Sequence, residues 1–242
     1  MYRAVDVRPW DSTSPDTAMN RVFGAGNWSY DYYESADAAA LFTPATSFIF
    51  MEGGADTDSW LNRFLAENSA SVLSWVGSGG RLIIESAGWY TGVSTPFGVD
   101  LLYSGYASYT ATAANPSHPI FNGPFPSGTS WEGNAFSIDA LGGTGYIPLI
   151  TGERGDIVGE MQYGSGLVLF SGRVTDNWDT PQPQAANLTA NMIAYTSGVD
   201  PEPAPEATTF VLAGAGLVLL GVLKRPRRSR SAATPPRAPE RR

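Results

Sequence analysis

The chain has 242 residues, 43% of them apolar and 12% aromatic, enough to bury a sizeable core and to argue against disorder. Up to Asp200 it carries seven basic against 20 acidic side chains, a net charge of −13, which repels phosphate backbones and excludes nucleic acid as a partner of this part. Cysteine is absent and His118 is the single histidine, so disulfides, thiolate chemistry and histidine-rich metal sites are excluded, and any Ser-His-Asp triad depends on that one imidazole.

In chain order, residues 2–7 are predicted as a strand and 15–23 as a helix ending at Gly24. Residues 28–33 read as extended and aromatic, 36–42 as a short Ala-rich helix, and 47–51 as an apolar strand stopping at Gly53-Gly54. Over 60–76, Leu61, Phe64, Leu65, Val72, Leu73 and Val76 recur at helical spacing. Thr57 or Asp58 is placed to cap that helix, and the glycines of 77–80 end it. Residues 81–86 hold Leu82-Ile83-Ile84, an apolar run of the kind found in buried parallel strands. This alternation predicts a parallel sheet with helices on both faces. The second part is rich in Gly, Thr, Ser and Tyr, with strands expected over 106–113, 133–138, 157–163 and 166–171. A final helix is expected over 184–196. No repeat of fixed period is visible, which argues against a solenoid or propeller.

Several of these segments carry a resemblance. Helix, Gly77-Ser78-Gly79-Gly80 and an apolar strand ending in Glu85-Ser86-Ala87 come first. Asn115-Pro116-Ser117-His118-Pro119-Ile120 comes next, then a Tyr163-Gly164-Ser165-Gly166 turn into strand 167–170 and a terminal helix with Asn187 and Asn191. Together they resemble the class I glutamine amidotransferase-like fold, in particular its trehalose-utilisation-like branch, over roughly residues 45–197. The fold implied is an α/β, flavodoxin-like sandwich with a central, mostly parallel sheet. Active members place a cysteine on a strand-to-helix elbow. Here strand 81–85 leads into Ser86-Ala87-Gly88 and there is no cysteine, so amidotransferase chemistry is excluded by composition.

The candidate site residues each have a plain structural alternative. Glu85 and Ser86 fall at the carboxyl end of a central strand, where open α/β sheets bind ligands. Ser86 is a nucleophile only with a base beside it, and no G-x-S-x-G elbow surrounds it. The alternative is a serine that turns the chain. His118, followed by Pro119, is expected to shape the backbone rather than transfer protons. Glu52, Asp56 and Asp58 offer two or three oxygens for a hard cation but lack an EF-hand pattern, and the helix-start reading is preferred. Arg173, Asp176 and Asp179 come after strand 166–171, towards the same rim. Trp89 and Trp178 offer flat surfaces on which a sugar stacks. No metal site and no cofactor are expected.

The strongest local signal is the end of the chain. Pro201-Glu202-Pro203 opens a Pro/Glu linker (199–206). The 17 apolar residues 207–223 span roughly 26 Å as a helix, at the short end for a bilayer crossing. Lys224, Arg225, Arg227 and Arg228 begin a basic tail (224–242) suited to the cytoplasmic side of a membrane. A Pro-Glu-Pro motif, a short apolar helix and an Arg-rich end resemble the bacterial PEP-CTERM sorting signal, though residues 231–242 extend past the usual end. The resemblance implies an exosortase, a membrane protease-transpeptidase, as partner. That enzyme would read Pro201, Glu202 and Pro203, and the apolar helix and basic end would be discarded. Residues 1–8 contain no apolar stretch of the length an export signal needs, so a missing beginning to the 1–198 body is expected. The resulting expectation is a cell-envelope protein, membrane-anchored by its C-terminal helix before processing and then at the surface or outside the cell. Its body is read as a non-catalytic binding module with exopolysaccharide as a partner class. The alternative is a hydrolase or sugar-modifying enzyme using Glu85, Ser86 or His118.

Overall fold

The computed structural model describes residues 2–3, 8–54 and 57–201. Along the chain lie β1 (Tyr2–Arg3), α1 (Ser14–Phe23), β2 (Asp31–Tyr32), α2 (Ala38–Leu41), β3 (Phe48–Glu52), α3 (Asp58–Glu67), α4 (Ser69–Gly77) and β4 (Arg81–Glu85). Then come β5 (Val93–Ser94), β6 (Val99–Ala113), β7 (Ser130–Gly143), β8 (Ile147–Gly152), β9 (Gly155–Tyr163), β10 (Gly166–Ser171), β11 (Asp179–Thr180) and α5 (Gln184–Ser197).

The apolar runs become the centre of the molecule because a strand buried on both faces has no polar side to show water. In β3, β4 and β10, Ile49, Met51, Leu82, Ile84, Val168 and Phe170 join one core with Leu61, Phe64 and Leu65 of α3 and Val72, Trp75 and Val76 of α4. Phe50, Ile83 and Leu169, on the opposite face, join a second core with Ala18, Met19 and Val22 of α1 and Leu188, Met192 and Ile193 of α5. The period-2 alternation of the strand thus splits three adjacent strands between two helical layers, each fully buried Leu, Ile, Val or Phe contributing about 1.5–3 kcal/mol.

The sheet order is β11-β7-β6-β8-β9-β10-β4-β3-β1-β2, with β5 beside β6. Pairing is parallel from β2 through β1, β3 and β4 to β10. It is antiparallel from β10 through β9, β8 and β6 to β7 and β11. A mostly parallel sheet is therefore corrected to a mixed one. The reason is local: β8, β9 and β10 are joined by two-residue connections, which can link only antiparallel neighbours.

Two other expectations change. The single helix over 60–76 is two, because Asn68 leaves helical geometry (φ −114°, ψ 14°) and its side-chain amide donates back to the Phe64 carbonyl at 2.9 Å. The strands expected over 106–113 and 133–138 extend to β6 and β7, with β-bulges between Tyr103 and Thr110. Helices α1 and α5 fall where expected. Among the described residues no helix is long and apolar enough to cross a membrane. Residues 4–7, Asp56, Glu202, Pro203, the apolar run 207–223, Lys224, Arg225, Arg227 and Arg228 lie outside the described residues, whereas Pro201 is described and buried.

Candidate functional site

Parallel pairing places Glu52, Glu85 and Ser171 side by side at the carboxyl ends of β3, β4 and β10. The Ser171 hydroxyl donates to Glu85 Oε2 at 2.7 Å. Burial pushes the Glu85 carboxyl up to about 7, against the nearby Arg173 charge and the Ser171 hydrogen bond, which pull it down. Arg173 is itself buried. Its guanidinium pairs with Asp179 at 3.4 Å, donates to Thr189 Oγ1 at 3.1 Å and stands 5.1 Å over the Phe136 ring. It is a strut between β10, β11 and α5. Burial raises Asp179 to about 7, with Arg173 opposing. Asp176 is also buried, and Trp178 is half-exposed on the same connection.

Beyond the end of β4, residues 86–92 form a loop tied down by two carboxyl groups. Asp58, at the start of α3, accepts from the Ser86 hydroxyl through Oδ1 and from Thr91 Oγ1 through Oδ2, the latter at 2.8 Å. Asp139, from β7, accepts from the Gly88 N–H at 3.3 Å. Only glycine fits at 88, since a Cβ there would run into the Asp58 carboxylate. Asp139 Oδ1 is buried without a partner. Burial raises this carboxyl to about 8, the Gly88 hydrogen bond lowers it, and the Asp58 charge raises it further. Burial likewise raises Asp58, against the hydrogen bonds of Ser86, Thr91 and Gly54.

The same loop presents aromatic rings. Trp89 meets Trp10 edge-on (centroids 6.5 Å apart) and Tyr103 at 6.1 Å, and Tyr90 lies 5.3 Å from Tyr103. Tyr103 on β6 is the cross-strand partner of Asp139 on β7, so ring and carboxyl share a face of the sheet. Trp89 is 42% and Tyr90 83% exposed. The non-glycine residues with positive φ among the described residues are Trp10 (56°), Asp11 (54°) and Tyr90 (66°), all at or beside this cluster. Such conformations cost on the order of 1–3 kcal/mol each.

The structure separates the residues of the supposed triad. Ser86 is fully buried and committed to Asp58. His118 Nε2 lies 3.3 Å from Glu160 Oε1, its Nδ1 accepts from the Ile120 N–H, and its ring packs edge-on to Tyr195 at 4.7 Å. Asp58 does not cap its helix in the expected manner. Thr57 is the N-cap, without a side-chain capping bond, and the Asp58 side chain reaches to the loop instead. Glu52 is buried at the end of β3, its carbonyl accepting from the Tyr33 hydroxyl at 2.7 Å. Among the described residues no group of three or more acidic or histidine side chains is arranged to hold a metal ion. Trp89 gathers rings around it, and Trp178 is not one of them.

Sequence reasoning missed Asp139, Trp10, Tyr90 and Tyr103. One signal existed: Asp139 interrupts the apolar positions Phe136, Ile138 and Leu141 of a strand, and a lone acid there is buried or functional.

No protein-family model matches the chain, and no curated protein matches it. Among solved structures it is similar to a ThuA-like protein from Parabacteroides merdae, at 12% identity and a TM-score of 0.48, covering 85% of this chain and 91% of that one. A cytoplasmic protein from Salmonella typhimurium is 16% identical (TM-score 0.43; 76% and 86% covered). A β-galactosidase from Bacillus circulans sp. alkalophilus is 10% identical with a TM-score of 0.48 over 82% of this chain. This chain spans 28% of the length of that β-galactosidase, and all three are likenesses of overall fold.

Proposed function

We propose that this is an exported envelope protein, handled by an exosortase-type membrane protease through Pro201-Glu202-Pro203, whose body is a non-catalytic glycan-binding module. The order of motif, apolar run and arginines supports the sorting part. The binding part rests on one observation: a cluster of four aromatic rings stands at the carboxyl ends of the strands, partly open to solvent, on a backbone held at unfavourable φ angles. Flat rings cover the apolar faces of pyranoses, while their polar edges meet the hydroxyls. Hydrolysis is disfavoured because Ser86 is inaccessible and His118 serves Glu160.

The test is binding of the full-length chain, in detergent, to fractionated exopolysaccharide. The double variant Trp89→Ala, Tyr90→Ala is expected to lose about tenfold in affinity or more, with Trp178→Ala as the unaffected control. Equal binding by the double variant would sink the assignment. For the sorting part, the mature C-terminus in an exosortase-bearing host is expected at or near Pro203. A terminus still carrying Arg242 would leave a tail-anchored protein instead.

A further inference from the structure

The aromatic cluster has a charge character as well as a shape. Beside Tyr103, on the same face of the sheet, lies its cross-strand partner Asp139, 1% exposed, with Oδ1 unmatched by any donor. Asp58 adds a second acid through the same loop, bound to Ser86 and Thr91 on either side of Gly88. On the other flank, the buried indole N–H of Trp10 has no acceptor, and it lies against Gly54. The arginines adjoining the site are engaged elsewhere: Arg8 pairs with Asp16 at 3.4 Å and Arg173 with Asp179 at 3.4 Å. Electron-rich ring faces attract cations, and the −13 charge up to Asp200 adds a long-range field that draws cations and repels anions.

We propose that the glycan taken at the Trp10–Trp89–Tyr90–Tyr103 cluster is an amino-sugar polymer with free, protonated amines, an ammonium group seating over the rings beside Asp139. This rests on the glycan-binding reading above and narrows it to one ligand class. Burial pushes the Asp139 carboxyl up to about 8, with Asp58 from α3, the Gly88 N–H from the loop and Tyr103 from β6 as its neighbours. An arriving ammonium favours its ionised form, so binding releases a proton.

The experiment titrates the full-length chain in detergent, at about pH 6, with a chitosan hexamer, the fully acetylated chitin hexamer and polygalacturonate. The expected order is chitosan tighter than chitin by about tenfold, with polygalacturonate not binding. The preference should shrink as salt is raised. Proton uptake or release, read in buffers of differing ionisation enthalpy, should show release with chitosan and none with chitin. Asp139→Asn, close in size and uncharged, should keep chitin binding and lose both the preference and the proton release. Equal affinity for chitosan and chitin, or a preference untouched by Asp139→Asn, overturns the amino-sugar assignment and leaves the glycan reading standing. Tighter binding of polygalacturonate also overturns it. Failure of all three ligands to bind overturns both.

Discussion

Two carboxyl groups in the antiparallel half of the sheet, Glu160 on β9 and Asp139 on β7, the first partly and the second wholly buried, behave oppositely. Glu160 accepts from Tyr195 at 2.7 Å and from His118 at 3.3 Å, and although burial opposes it, these two donors hold its carboxyl below the usual range. Asp139 has one backbone donor at 3.3 Å and an acid for a neighbour, and it is pushed up to about 8. The difference lies in the depth of burial together with the number of donors supplied. Glu160 is satisfied by two side-chain donors, the only histidine among them, whereas Asp139 has a single backbone donor, and the proposed ligand would supply the missing partner.

The largest way to break this contrast is Glu160→Ala, which leaves the His118 N–H and the Tyr195 hydroxyl without an acceptor. It should cost about 2–3 kcal/mol above about pH 5, measured by urea unfolding. Because the folded-state value is depressed, that contribution is present above the unfolded value and is lost as pH falls through the folded one. Asp139→Asn should move stability the other way. The wild-type contribution of Asp139 is fully present below the unfolded value of about 3.9 and is lost as pH rises through about 8. Asparagine does not ionise, so the variant should gain about 1–2 kcal/mol on the wild type between about pH 7 and about pH 8.5. A gain that is the same at both pH values would contradict the assignment. The smallest effect is Ser86→Ala, which removes one donor from Asp58 and should cost about 1 kcal/mol, without change in glycan affinity. A loss of affinity there would place Ser86 in the site and reopen the catalytic alternative.

Much of the frame was legible. Leu82-Ile83-Ile84 and the 166–171 run announced strands, the helix over 15–23 was readable with its stop at Gly24, and that over 184–196 from Leu188, Met192, Ile193 and Tyr195 on one side. Local pattern did not reveal direction. Nothing in the composition of β8 distinguishes an antiparallel neighbour of β9 from a loop, because pairing partners are set by connection length and by the rest of the sheet. The site was half visible for the same reason. Glu85, Ser86 and Trp89 are close in sequence and could be proposed together, whereas Asp139 reaches them only through the β6–β7 pairing, 51 residues from Gly88. His118 shows the converse: sole of its kind, it attracted a catalytic reading, and its neighbours assign it to packing.

The pairing of β4 with β10 has a consequence for the order in which the chain acquires its shape. Leu169 must find Ile83 across the whole of β5 to β9. A nascent chain that has emerged only as far as Tyr163 has an open edge on β4 and lacks the layer that α5 will lay over Phe50 and Ile83. Contacts this distant in sequence are slow to form. The polypeptide is therefore expected to stay incompletely folded until nearly all of residues 1–198 have been synthesised, a state that leaves an apolar edge open to aggregation if synthesis stalls.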